Sequence, residues 1–234
     1  STPVAPLPDH FTTAAFKRRL CNDAIDTLAS IANADWRGLG LESFGKPDDF
    51  LARQVTRWRA QFERSPVRQL DRVDALSSWL SDNRPAMQRA ALIHGDYTFV
   101  NIMVARASPH PLIAAIDWEL ATIGDPLLDL GWLLACWQEP GEPPSHATYF
   151  DWQDMPSRAS LAARYARATG LDVGRLDFYM TLALFKFAAI MEGWYAAYRA
   201  GRSAHPTHAS METAVPRILD RAAMFAGLMG ETHE

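Results

Sequence analysis

Between Ala90 and Ile116 the spacing of apolar residues in this chain changes character, and that change limits the folds open to it. Upstream, Phe16, Leu20, Ile25, Leu28 and Ile31 recur at about the period of a helix with one buried face. Phe11 to Asn33 is therefore expected to be helical, with Thr12 or Thr13 as its cap. Turn chemistry in GLGLESFGKPDD separates it from two further amphipathic helices, Asp49 to Glu63 and Val67 to Leu80, which carry Trp58, Phe62, Leu70, Leu76 and Trp79 inward. Then come three short apolar runs, ALIH, IMVA and LIAAI, which read as strands. The turn-forming ASPHP makes the second and third a hairpin. Beyond Asp125 the helical period returns in PLLDLGWLLACW, and again near Ser157 to Thr169, Arg175 to Ala200 and Thr207 to Leu228. The loop QEPGEPPSH, rich in Pro, Gly and Glu, is expected to be mobile. No βαβ alternation occurs, so the pattern predicts an α+β fold, mostly α, in which helices surround a small β element.

With 48% hydrophobic residues, 234 residues are enough for one substantial core or for one large lobe of a two-lobed protein. The net charge of -4 and the lack of a basic stripe argue against nucleic-acid binding. Cys21 and Cys136 stand far apart without CxxC spacing, which suggests neither a disulfide framework nor a zinc site. No apolar stretch reaches the roughly 20 residues of a membrane span, and the expected location is cytoplasmic.

The chemistry concentrates in HGDYTFVNIMV, His94 to Val104. Asp96 and Asn101 lie in a loop after the first predicted strand, and Asp117 ends the third. Phosphoryl transfer needs a carboxylate to take or orient the proton of the attacking hydroxyl, and oxygen ligands to hold magnesium against nucleotide phosphates. The spacing D-x-x-x-x-N, with a second Asp beyond a hairpin, is that of a kinase catalytic loop and its metal-binding Asp. Asp125 before Pro126 is explained by helix capping. Asp129 falls in an otherwise apolar helix, where an unpaired carboxylate would be costly, so it requires a partner. Glu119 can touch a metal or a substrate, or simply face solvent.

Taken together, HGDYTFVN, IDWE and GDPLLDL closely resemble the aminoglycoside phosphotransferase and choline kinase-like superfamily. The run IDWELATIGDPLLDLGWLL looks most like its stand-alone bacterial kinase domains and those fused to acyl-CoA dehydrogenases. The resemblance implies a protein-kinase-like fold, with ATP as co-substrate and a small hydroxylated acceptor. It makes Asp96 the catalytic base and Asn101 and Asp117 the magnesium and nucleotide ligands. His94 and Asp129 would brace the loop. Gly95 stands where protein kinases carry an Arg, so a phosphorylated activation loop has no guanidinium to meet.

Such kinases cover the nucleotide with a separate lobe bearing a strand Lys. Here Lys17 and Lys186 fall in helices and Lys46 in a turn. GLESFGKP matches most of a P-loop, but Pro47 replaces the metal-binding Ser or Thr and no strand precedes Gly40. The expectation is therefore a linker at residues 1–10 and, over 11–234, the C-terminal lobe of a larger kinase whose nucleotide-binding lobe belongs to the same polypeptide. Two other classes stay open: a catalytically inactive binding module on this scaffold, and a metal-dependent phosphoester hydrolase using the same carboxylates.

Overall fold

A computed structural model describes residues 13–64, 67–105, 111–147 and 152–229. The expected linker at 1–10 and most of the ASPHP turn lie outside these residues. The chain divides into two compact units, one of residues 1–45 and 89–173, the other of 46–88 and 174–234.

The first unit contains helix α1 (Ala14–Ala32), then strands β1 (Ala91–Ile93), β2 (Ile102–Val104), β3 (Leu112–Ala115) and β4 (Thr122–Gly124), then helices α4 (Leu127–Ala135) and α5 (Arg158–Thr169). Thr13 caps α1 by accepting from Phe16 N, and Ser157 caps α5 by accepting from Ser160 N. Both are the residue types whose short hydroxyls satisfy an orphan N–H. Strands β2 and β3 form the expected hairpin, with Ile102 opposite Ala115. Phe16 and Leu20 of α1 pack on Phe99, Val104 and Leu112, so the long first helix backs the hairpin.

Strand β1 has a partner that apolar spacing did not reveal. It pairs antiparallel with β4, Ala91 opposite Gly124 and Ile93 opposite Thr122, and this short sheet closes the segment between them into a loop. Phe44 and Gly45 of the GLESFGKP string pack beside β4. Thr122 Oγ1 donates to Phe44 O, and a Cβ on Gly45 would lie 2.5 Å from Ile123 N. The glycine of that P-loop-like string thus permits close backbone approach.

The expected mobility of QEPGEPPSH gives way to a pinned loop. Arg158 donates to both carboxylate oxygens of Glu142, at 2.8 and 2.9 Å, and to the carbonyls of Leu134 and Trp137. Buried Ser145 donates to Cys136 O. Pro and Gly content marked an irregular path, while side-chain bonds from distant residues decide whether that path is held.

The second unit comprises α2 (Phe50–Arg64), α3 (Arg72–Asp82), α6 (Leu176–Arg199), α7 (Pro206–Ala209) and α8 (Met211–Phe225). Helix α3 begins later than the expected Val67. Arg68 forms a bidentate pair with buried Glu192, at 3.1 and 2.7 Å, and its guanidinium also donates to the carbonyls of Met211 and Glu212. The single helix expected from Thr207 to Leu228 is broken at Ser210, whose hydroxyl donates to Thr207 O. Phe62 and Phe185 meet in the core of this unit, ring centroids 5.1 Å apart. Among the described residues no helix is long and apolar enough to cross a membrane.

Candidate active site

The loop between β1 and β4 begins with a backbone that only glycine fits. Gly95 has φ +84, and a Cβ there would lie 2.4 Å from Leu120 O. An L-residue would meet both the left-handed penalty and a backbone clash. Its neighbour His94 is fully buried. The ring Nδ1 accepts from Asp96 N at 3.3 Å, so Nε2 carries the hydrogen and donates to Ile116 O at 2.9 Å. His94 therefore ties the start of the loop to the residue before Asp117, and the Trp118 ring packs on it with centroids 4.7 Å apart.

Asp129, 2% exposed, has the partners its burial requires. Its carboxylate accepts from His94 N at 2.6 Å and from Gly95 N at 2.9 Å. These are charge-assisted bonds to two successive backbone amides. Asp125 Oδ1 accepts from Leu127 N at 3.0 Å, closing the turn into α4. Tyr97, fully buried, donates from its hydroxyl to Ala24 O, and burial pushes its phenol well above the ordinary range.

Asp96 is half-buried, and its carboxylate is gripped at both oxygens. Oδ1 accepts from Trp132 Nε1 at 2.7 Å and Oδ2 from Asn101 Nδ2 at 3.0 Å. Asn101 Nδ2 also donates to Asp96 O at 2.9 Å, so both amide hydrogens are used and Oδ1 is the atom left for a cation. Asn101 O in turn accepts from Ile116 N, which brings the segment carrying Asp117 beside the loop of Asp96 and Asn101. Asp117 is exposed and left-handed, φ 69 and ψ 57, a conformation that Asp tolerates better than most residues. Glu119 follows in the short 3-10 turn Trp118–Leu120, also exposed.

The donor set suits magnesium better than a softer ion. Asn101 Oδ1 and the Asp117 carboxylate would offer hard oxygen donors, and among the described residues no three His, Cys, Asp or Glu side chains gather as a metal cage. Magnesium bound to nucleotide phosphates needs only one or two protein ligands.

The HGD loop enclosed by the β1–β4 pair and gripped by α4 lies in the part of the chain that its match to a phosphotransferase family covers. The model of the family described as "Phosphotransferase enzyme family" matches residues 7–179, and this chain belongs to that family. Acyl-CoA dehydrogenase family member 11 of Gallus gallus is 33% identical over 198 residues, covering 79% of this chain and 25% of that protein. Acyl-CoA dehydrogenase family member 10 of Mus musculus is 29% identical over 189 residues, 77% of this chain and 17% of that protein. The chain thus spans a quarter or less of these curated relatives. Among solved structures, a Ralstonia eutropha protein proposed to be an aminoglycoside phosphotransferase superposes with a TM-score of 0.80 at 23% identity, covering 92% of this chain and 66% of that one. A macrolide 2'-phosphotransferase type I gives 0.60 at 17%, covering 86% and 60%. At these identities the superpositions establish a shared, mostly helical, kinase-like fold.

Two members of the site escaped sequence reasoning. Trp132 falls within the apolar run PLLDLGWLLACW, and nothing in a sequence marks where an indole N–H points. Its spacing of three from Asp129 on one helix face was the available signal. Strand β4 carries no apolar run to mark it, since Ile123 stands between Thr122 and Gly124.

Proposed function

We propose that this chain is the catalytic lobe of an ATP-dependent kinase that transfers the γ-phosphoryl group to a hydroxyl of a small molecule. In this reading Asp96 accepts the proton of the acceptor hydroxyl while its oxygen bonds to the γ-phosphorus. The bond to the β,γ-bridging oxygen breaks, and ADP leaves. Asn101 and Asp117 would hold magnesium, whose contribution is to neutralise charge on the phosphates. His94 and Asp129 fix the loop that carries the base, and Asp125 fixes the turn behind it.

The observation that carries this reading is the clamped Asp96 carboxylate, joined through Asn101 to the backbone beside Asp117. A catalytic base must be held in one orientation before the acceptor arrives. A second observation bears on the nucleotide side. Val100, Met103, Ile113, Ile116, Trp118 and Leu120, which flank these residues in sequence, are large apolar side chains left 39–58% exposed. Exposed apolar surface of this kind is suited to being covered, and the reading assigns that role to the nucleotide and to a lobe of the same polypeptide.

The test is calorimetric titration with Mg-ATP, followed by an acceptor panel that includes an aminoglycoside, choline and a hydroxylated acyl-CoA. Saturable Mg-ATP binding, with ADP release that depends on acceptor and is abolished by Asp96→Asn, is the expected result. Binding without transfer would favour the inactive binding module. Phosphate release from phosphoesters, lost in the same variant, would favour the hydrolase.

A further inference from the structure

One half of the clamp on Asp96 comes from the same helix that holds the backbone of its loop. Asp129 and Trp132 are three apart on α4 and therefore share a face of the helix. Both grip the same loop. Asp129 holds the backbone N–H groups of His94 and Gly95, and Trp132 reaches one residue further, to the Asp96 carboxylate itself.

With Trp132 on Oδ1 and Asn101 on Oδ2, the carboxylate cannot turn about its Cβ–Cγ bond without stretching both bonds. The two donors differ in kind. The indole N–H is a donor only and, unlike a hydroxyl or a water, cannot reverse its role and compete for the proton the base is to receive. The indole is 9% exposed, and its own plane is set from another side. The imidazole of His146 stacks on it, centroids 5.8 Å apart and planes at 15°, while His146 Nε2 lies 3.5 Å from Cys136 Sγ, about one helical turn beyond Trp132. His146 belongs to the loop that Arg158 and Ser145 pin.

We propose that Trp132 is a positioning residue for phosphoryl transfer, aiming the Asp96 carboxylate at the acceptor hydroxyl, with His146 holding the indole in plane. The proposal rests on the kinase reading above.

Trp132→Phe keeps an aromatic ring and removes the N–H. In the full-length polypeptide, with whichever acceptor the panel returns, kcat is expected to fall about 10- to 100-fold, the effect of losing an orienting partner. KM for ATP should not change. An unchanged kcat, or a loss of kcat accompanied by a comparable rise in KM for ATP, overturns the positioning role while the kinase reading stands. A wild-type protein that transfers phosphate to no acceptor retires that reading and this role together.

A second measurement covers the case in which Trp132→Phe fails to fold. The indole 1H–15N signal of Trp132, assigned by NMR in the otherwise intact protein, should shift in Asp96→Ala. A signal that stays in place overturns the contact.

Discussion

Asp129→Ala tests whether the loop that begins at His94 is held by two charge-assisted bonds. In the wild type the buried carboxylate accepts from His94 N at 2.6 Å and Gly95 N at 2.9 Å. Hydrogen bonds to a charged group are worth about 1.5–3 kcal/mol each, and a buried donor left without an acceptor costs about 1–3 kcal/mol. These are two views of the same loss, so they are not summed. For two bonds, with some relief from local rearrangement and entering water, the expected destabilisation is about 3–5 kcal/mol. That is a large share of a folding free energy of about 5–15 kcal/mol. Urea unfolding with a slope of about 2–3 kcal/mol/M would show the midpoint falling by roughly 1–2 M. Amide hydrogen exchange supplies the local readout, because His94 and Gly95 should lose protection first. Asp129→Asn should retain part of the stability, since its carbonyl can serve one amide while its NH2 faces the other. A midpoint within error of wild type, or unchanged protection at His94 and Gly95, would refute the reasoning.

Gly95→Ala places a Cβ 2.4 Å from Leu120 O at φ +84. The expected loss is about 2 kcal/mol or more, read as a fall in Tm of about 4–8 °C. Burial raises the phenols of Tyr97 and Tyr165 above their ordinary value of 10.0, so their contribution to stability is complete below that pH and is lost as pH climbs toward the folded values. Absorbance at the tyrosinate band should show these two ionising only as the fold is lost; smooth titration of all six tyrosines with the circular dichroism intact would contradict this. Arg158→Met removes the cationic partner of the part-buried Glu142 carboxylate and the donors to two carbonyls. Limited proteolysis should then cut within 138–147 at rates the wild type does not show, and equal resistance would mean that the loop is held by other contacts.

The elements legible in the sequence are those whose causes are local. Thr13 and Ser157 announce helix starts because a hydroxyl cap acts over three residues, and the β2–β3 hairpin was legible because a turn separates two apolar runs. What stayed hidden has distant causes. Arg68 leaves the predicted helix to reach Glu192, and β1 finds a partner in three residues that carry no pattern of their own. The site divides in the same way. Asp96, Asn101 and Asp117 stand out by type and spacing, and Asp129 declares a missing partner by being charged within an apolar helix. The identity of that partner, two backbone amides, and the indole on Asp96 are matters of direction in space, which residue type alone does not encode.

The closure of β1 on β4 sets how this family member can tolerate length changes. Strand β4 runs almost directly into α4, whose Asp129 and Trp132 return to grip the loop that the strand pair encloses. The register between strand and helix therefore works like the teeth of a gear. One residue inserted between Gly124 and Asp129 would rotate the helix by about 100° and carry both grips away from the loop at once. Four would bring the face nearly back, displaced by about one turn. Insertions and deletions in the segment from Gly124 to Trp132 should for that reason be far rarer among functional variants than substitutions, even at positions that touch nothing in the site.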